Sequence, residues 1–186
     1  MQRLTTEELH NIRLTESVAA SSESRFPLIA ILENIRSLYN VGSMFRTSDA
    51  ARIEALFTVG YTPHPPRVEI EKTALGATRT VPHMHFDDTL SAIAAATTRG
   101  FHAAALEQAH TSRSIFTLDK KDFPMALVIG NEVTGVSEEA LDAVHASFEI
   151  PMIGAKHSLN VAVAYGVAIT NAMRVFADEL EHFRPK

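Results

Sequence analysis

Short, almost continuously apolar segments alternate with amphipathic ones from residue 26 onward. Their length and their richness in β-branched and small apolar residues are typical of strands buried on both faces: 27–32, 55–60, 101–106, 125–130 and a short last one at 148–152. Between and after them lie segments with helical patterning, at 40–53, 87–98, 137–145 and 159–181. A strand buried on both faces needs helices on both sides. The alternation therefore predicts an α/β fold with a mostly parallel sheet flanked by helices.

The first 25 residues have a different character. Residues 5–20 predict a helix with Thr5 or Thr6 as its cap, and a polar break follows at 20–24. We therefore predict an N-terminal helical extension over 1–25 and one domain over 26–186. The charged amino terminus lacks the apolar stretch of a signal peptide, and no run reaches the ~18 apolar residues of a membrane span. These features predict a soluble protein without a membrane partner, and a cytoplasmic location fits them.

Composition excludes several classes of site. The chain has no cysteine, which excludes disulfides, thiolate catalysis and cysteine-bound metals. His83 and His85 have no third ligand at a suitable spacing, so no metal site is predicted. A net charge of −5 argues against a protein that coats nucleic acid through bulk charge, but it leaves room for a local basic patch.

Unusual residues follow three of the predicted strands, where ligands bind in parallel sheets. The first segment is ENIRSLYNVGSMFRTSDA (33–50). Here Asn40 is expected to cap a helix, Gly42 to allow close approach of another segment, and Arg46 to lie about a turn and a half into the helix. The planar guanidinium of Arg46 suits a phosphate. The alternative is an ordinary cap and a surface arginine.

The second segment is LVIGNEVTGVSEEA (127–140), which nearly matches the phosphate loop G-x-x-x-x-G-K-[ST]. Val136 occupies the lysine position, which excludes a phosphate-loop ATPase. A loop rich in backbone donors is left, with the carboxylate Glu132. A plain strand-to-helix turn is the alternative. A Rossmann-type dehydrogenase is disfavoured because no G-x-G-x-x-G follows the first strand.

The third segment is IPMIGAKHSLNVAVAYGVAI (150–169). Gly154 permits a tight turn, Lys156 and the adjacent histidine are expected to be exposed, and Ser158 and Asn160 are expected to begin the last helix. A common capping serine is the alternative reading of Ser158.

Together and in this order, the three segments resemble the signature motifs of the SpoU (TrmH-type) RNA 2′-O-methyltransferases of the SPOUT superfamily. The stretch KTALGATRTVP (72–82) resembles the same family, and the match covers about residues 26–175. The residues that carry it are Asn40, Gly42, Arg46, Gly130, Asn131, Glu132, Gly135, Ile150, Pro151, Met152, Gly154, Ser158, Leu159, Asn160 and Val161.

The resemblance implies a C-terminal deep trefoil knot, an exception to the rule that chains avoid knots. It implies S-adenosylmethionine as methyl donor, S-adenosylhomocysteine as product, and a homodimer whose active sites are completed across the interface. The catalytic residues implied are Arg46, Asn40, Glu132, Ser158 and Asn160. The residues implied for cofactor binding are Leu106, Ile129, Gly130, Asn131, Ile150, Met152 and Leu159. Those implied for RNA binding are Arg36, Arg46 and Lys156.

The expected reaction is methyl transfer to a ribose 2′-hydroxyl of structured RNA, with tRNA preferred over rRNA and no metal. Using Arg46 as a base would cost roughly 7–9 kcal/mol at neutral pH, because a guanidinium loses its proton only far above neutral pH. We therefore expect Arg46 to clamp the phosphate beside the target ribose. Two alternatives stay open: a SPOUT enzyme that methylates a base, and a module that binds RNA or S-adenosylmethionine without catalysis.

Overall fold

The computed structural model describes residues 3–5, 7–8, 15, 18 and 25–183. Thr5 Oγ1 accepts a hydrogen bond from Glu8 N (3.2 Å), and the Glu8 carboxylate accepts one from Thr5 N (2.7 Å), the reciprocal pattern of a capping box. The predicted cap at Thr5 is thus confirmed. The rest of the predicted 1–25 extension lies almost wholly outside the described residues and stays a prediction. Within the described part, no helix is long and apolar enough to cross a membrane.

Seven parallel strands form one sheet, with the spatial order β3-β2-β1-β6-β4-β7-β5. Their bounds are β1 Phe26–Glu33, β2 Ile53–Val59, β3 His83–Phe86, β4 His102–Leu106, β5 Arg113–Ser114, β6 Met125–Ile129 and β7 Ala146–Glu149. The two central strands, β1 and β6, are buried almost throughout. This burial agrees with their nearly uninterrupted apolar sequences.

Between residues 25 and 183, five α-helices cover the sheet: α1 Leu38–Ala51, α2 Val68–Ala74, α3 Thr89–Thr98, α4 Glu138–Ala143 and α5 Val161–Val175. Short 3₁₀ turns lie at Ala77–Arg79, Ile115–Thr117, Lys120–Asp122 and Ala177–Phe183. Two cores result, because alternate residues of each strand point to opposite faces. Leu28, Ala30 and Leu32 of β1 pack with α1, α2 and α5, whereas Ile29 and Ile31 pack with α3 and α4.

The predicted α/β class and the parallel sheet are confirmed, and the side chains of Asp88 and Ser137 cap α3 and α4. Two elements were missed, namely α2 and β5. Each is too short to produce a readable period: α2 buries only Ile70 and Ala74, and β5 has two residues. The last strand is Ala146–Glu149, whereas 148–152 was predicted.

Two predicted helix starts are wrong. The first helix begins at Leu38, and its cap is Ser37, whose side chain accepts from Asn40 N at 3.3 Å. Asn40 is therefore not the cap, and Arg46 lies more than two turns into the helix. The last helix covers Val161–Val175 and not 159–181. Its cap is Asn160, so Ser158 stays in the preceding loop.

Candidate active site

A cleft of about 560 Å³ opens at the carboxyl ends of β4, β6 and β7. Three loops, α4 and the start of α5 form its walls. All seven residues predicted to bind a cofactor lie on these walls: Leu106, Ile129, Gly130, Asn131, Ile150, Met152 and Leu159. Ser158 and Glu132 line the same cleft. Its volume is in the range of small-molecule sites, and its place at the strand ends is where α/β folds bind ligands.

The loop after β6 folds back on itself beneath the cleft. Asn131 and Gly135 exchange two backbone hydrogen bonds of 3.0 Å each. A Cβ on Gly130 would overlap the backbone of Gly135 and Val136, so only glycine fits at this crossing. Gly135 itself has a φ of 72°, in the left-handed region that favours glycine.

Asn131 holds this loop in shape. Its side chain is 7% exposed, and Nδ2 donates to Asn34 O (2.7 Å) and to the Tyr61 hydroxyl (2.8 Å). Its Oδ1 accepts from the backbone N–H groups of Val133 (2.8 Å) and Thr134 (3.0 Å). All of these contacts are made within the protein. The side-chain amide of Asn131 therefore fixes the shape of the cleft wall.

A chain of hydrogen bonds joins three of the predicted catalytic residues at the rim of the cleft. Asn40 Nδ2 donates to Glu132 Oε1 (3.1 Å), and Asn160 Nδ2 donates to Asn40 Oδ1 (3.3 Å). Asn160 Oδ1 in turn accepts from Ala162 N (2.9 Å), which caps α5. The three sequence segments therefore meet here through their side chains, although up to 120 positions separate them in the chain.

Glu132 is held as an anion. Its carboxylate accepts from Arg36 N (3.0 Å), Ser37 N (3.3 Å) and Asn40 Nδ2, at the positively polarised start of α1. Burial raises the pKa of Glu132, but these hydrogen bonds outweigh burial, so the pKa lies below its ordinary value. A carboxylate with a low pKa and three donors is a poor proton acceptor. It is well suited to orienting Asn40.

Arg46 does not join this group within one chain. It is exposed on α1 and lines a separate depression with Ser43, Thr47, Ala50, Lys72, Thr73 and Leu75. Arg36 and Lys156 are also exposed. Arg36 reaches Glu132 only through its backbone N–H, so its guanidinium is not part of that contact.

Two carboxylates that sequence reasoning missed support the site. Glu107 Oε2 accepts from Val136 N (2.9 Å) and so ties the loop after β4 to the loop after β6. Glu33, only 3% exposed, accepts from Ser137 Oγ (2.7 Å) and Thr89 Oγ1 (2.6 Å). Each ends or directly follows a predicted strand, and a carboxylate at that position was the signal available.

The charge of the cleft restricts its ligand. The described residues that line it include four carboxylates: Glu107, Glu132, Glu138 and Glu149. They include neither a lysine nor an arginine. A ligand with several phosphates would meet repulsion here, whereas a cationic ligand would be favoured. In the described part of the chain, no group of three or more His, Asp or Glu side chains could hold a metal ion.

Comparisons with known proteins agree on one family. The model of the SpoU rRNA Methylase family matches residues 27–170. The 23S rRNA (guanosine-2′-O-)-methyltransferase RlmB of Vibrio cholerae is 30% identical over 150 residues, which are 80% of this chain and 59% of that protein. The tRNA (guanosine(18)-2′-O)-methyltransferase of Thermus thermophilus is 32% identical over 147 residues, which are 79% of this chain and 74% of that protein. This chain thus spans about three fifths of the RlmB relative.

Solved structures show the same fold. The A. aeolicus TrmH/SpoU tRNA modifying enzyme superposes with a TM-score of 0.78 at 26% identity, covering 92% of this chain and 86% of that one. The AdoMet-bound rRNA methyltransferase from Sinorhizobium meliloti gives a TM-score of 0.74 at 28% identity, covering 86% and 59%.

Proposed function

The chain belongs to the SpoU rRNA Methylase family, and on that premise we propose that it transfers a methyl group from S-adenosylmethionine to a ribose 2′-hydroxyl of RNA. The observation that carries the proposal is the position of the Glu132–Asn40–Asn160 chain at the rim of the cleft. Such a group of amides beside a cofactor-sized cleft suits a reaction that depends on positioning two bound reactants.

The cleft fits this cofactor in shape and in charge. Leu106, Ile129, Ile150 and Leu159 provide apolar walls for a purine ring, and the carboxylates favour a positively charged ligand. When bound, S-adenosylmethionine supplies an electrophilic methyl group on a sulfonium and leaves as the neutral S-adenosylhomocysteine. The residues proposed to hold it all line the cleft: Leu106, Ile129, Gly130, Asn131, Ile150, Met152 and Leu159.

The amide and hydroxyl groups of Asn40, Asn160 and Ser158 are proposed to hold the target ribose at the cleft. Glu132 fixes the orientation of Asn40 by accepting its Nδ2–H. The proton of the 2′-hydroxyl passes to solvent, because the Glu132 carboxylate already accepts from three donors and the Arg46 guanidinium has no acceptor atom.

Arg46 is proposed to clamp the phosphate beside the target ribose from the other protomer of a homodimer. The support is its position: it is exposed and lines a depression apart from the cleft of its own chain. A second copy would bring a cation to a cleft whose described lining residues carry only negative charge. The deep knot predicted for the C-terminal segment is part of the same proposal.

The substrate is proposed to be structured RNA, with tRNA preferred over rRNA. Two relatives named above act on guanosine ribose, one in 23S rRNA and one at position 18 of tRNA, by their names. Exposed Arg36 and Lys156 are proposed to bind the RNA backbone, which suits phosphate recognition by local cations. Because both kinds of RNA function in the cytoplasm, the reaction is proposed to take place there.

The test is incubation of the protein with methyl-labelled S-adenosylmethionine and either unfractionated bacterial tRNA or total rRNA. Nuclease digestion should then yield a 2′-O-methylated nucleotide. Label in a base would identify a base methyltransferase. If calorimetry shows that the cofactor binds but neither RNA becomes labelled, the protein is a binding module without catalytic activity.

A further inference from the structure

Tyr61 is an exposed aromatic residue fixed beside the candidate active site. The residue is 62% exposed, yet its hydroxyl accepts a hydrogen bond of 2.8 Å from Nδ2 of the buried Asn131. Asn131 directly precedes Glu132, so the ring lies next to the loop that carries the catalytic carboxylate. A tyrosine that only filled the core would be buried.

The backbone around Tyr61 is fixed as well. Tyr61 N donates to Asn34 Oδ1 (3.3 Å), and the preceding Gly60 has a φ of 61°. A Cβ on Gly60 would overlap Asn34 Oδ1 unless that side chain moved, so the turn favours glycine there. The ring is therefore held at its backbone and at its hydroxyl, while much of its surface faces solvent. Little side-chain entropy is left to lose on binding.

The surroundings suit one kind of partner. Arg36, whose backbone N–H binds Glu132, is exposed, and so are Val133 (76%) and Tyr39 (54%), which adjoins Asn40 in sequence. An exposed aromatic ring that is held in place is the feature that proteins use to stack unpaired nucleobases. An apolar protein partner would need a continuous apolar patch, but the turn that holds Tyr61 is made with polar Asn34 and Asn131.

We infer that Tyr61 stacks an unpaired base of the RNA substrate and thereby places the target ribose at the rim of the cleft. The inference rests on the proposed function and adds to it the class of substrate: RNA in which the nucleotide next to or at the target is unpaired. Stacking needs no particular base, because every base presents a π face.

The experiment measures RNA binding without turnover, by filter binding with unfractionated bacterial tRNA and total rRNA in the presence of S-adenosylhomocysteine. Tyr61→Leu, which removes the ring, should raise Kd by about 5- to 150-fold. Tyr61→Phe, which keeps the ring and removes only the hydroxyl, should bind within about threefold of the unmodified chain. Phe116→Leu is a matched control, because Phe116 is exposed (53%) beside β5 at the far end of the sheet.

Salt dependence separates stacking from charge. Loss of the ring should weaken binding equally at all salt concentrations, whereas loss of a phosphate contact lowers the salt slope. Two results would overturn the inference. The first is that Tyr61→Leu binds RNA as tightly as the unmodified chain. The second is that Tyr61→Phe binds as weakly as Tyr61→Leu, because the hydroxyl, through its anchoring of Asn131, would then be the group that matters. Failure of the unmodified chain to bind either RNA would overturn the proposed function too, whereas normal methylation by a folded Tyr61→Leu variant would overturn this inference alone.

Discussion

Glu132 shows how one side chain links two distant segments of the site. It lies in the loop after β6, but all three donors to its carboxylate come from the start of α1. An anion at a helix start is stabilised by the dipole and by the free N–H groups. Its role is therefore to join the two segments and to orient Asn40.

Glu132→Gln should lower stability by about 1–3 kcal/mol, because an amide nitrogen would face a backbone donor. It should also lower methyl transfer more than cofactor affinity. Urea denaturation and calorimetry are the measurements. Glu139→Gln, an exposed carboxylate in the first turn of α4, is the matched control and should change little.

The pH dependence of the same variant has a defined sign. The folded pKa of Glu132 is lower than the unfolded one, so the unfolded state binds more protons in acid. The stabilisation is complete above the unfolded pKa of about 4.3 and is lost as the pH falls through the folded pKa. The stability difference between the unmodified chain and Glu132→Gln should therefore narrow below about pH 4. A difference that widens in acid would contradict this account.

Variants of Arg46 test whether methyl transfer needs the planar guanidinium or only a positive charge at this position. Arg46→Lys keeps the charge but loses the bidentate geometry, so we expect most of the activity to be lost. Arg46→Ala should leave cofactor affinity in calorimetry nearly unchanged, because Arg46 lies outside the cleft of its own chain. Loss of cofactor binding in Arg46→Ala would rule out the role of phosphate clamp.

At the scale of elements, α1 and α5 are joined by a buried hydrogen bond. The Tyr165 hydroxyl lies 2.6 Å from Ser48 Oγ, which itself donates to Met44 O (2.7 Å). Since Ser48 already uses its proton, Tyr165 is the donor to Ser48. The bond fixes where α5 starts relative to α1, and hence where Asn160 meets Asn40.

Ser48→Ala should destabilise the protein more than Tyr165→Phe does. The serine variant leaves a buried phenol without a partner, at about 1–3 kcal/mol, whereas the phenylalanine variant leaves Ser48 bonded to Met44, at about 0.5–1.5 kcal/mol. Burial also raises the pKa of Tyr165. The contribution of Tyr165 to the free energy of unfolding is therefore present below the unfolded pKa of about 10 and falls as the pH rises above that value. Chemical denaturation at pH 7 and pH 11 tests both points. Equal costs for the two variants would contradict the assigned donor.

Gly42 sets the distance between α1 and α2. A Cβ there would overlap Thr73 Oγ1 and Ile70 O of α2, and Ala74 N would be 3.1 Å away. Gly42→Ala should therefore destabilise the protein by about 1–3 kcal/mol, although alanine favours a helix interior by up to about 1 kcal/mol. Thermal unfolding measures this change, and Ser43→Ala in the same helix is the mild control. A stabilised Gly42→Ala variant would mean that α2 can move away freely.

At the scale of the whole molecule, the site is proposed to need two chains. A heterodimer of Arg46→Ala and Asn40→Ala chains, each inactive alone, tests this directly. If Arg46 acts across the interface, one of its two sites is intact and activity should reach about half that of the unmodified dimer. Purification of co-expressed, differently tagged chains provides the sample. An inactive heterodimer would show that Arg46 acts within its own chain, and failure of the two tagged chains to co-purify would rule out the dimer.

Much of the fold and of the cleft was predictable. The buried strands 27–32 and 125–130 were readable because their apolar character is continuous, and the residues predicted to bind the cofactor all lie on one cleft. The misplaced cap at Asn40 had a local cause, since Ser37 and Asn40 are both good caps by type. In the structure Ser37 caps the helix, and the Asn40 side chain instead donates to Glu132, 92 positions away.

The roles of Tyr61, Glu33 and Glu107 depend wholly on contacts between distant segments, which local patterns do not contain. The same applies to the separation of Arg46 from the cleft, because a helix position indicates which residues share a face but not what that face meets. Strand class, loop glycines and the family pattern are properties of short segments, so the sequence alone determined them. The tertiary structure decided which loops meet, which carboxylate is held ionised and which ring stays exposed. The reason is that the order of the strands in the sheet brings the ends of β4, β6 and β7 together at one edge.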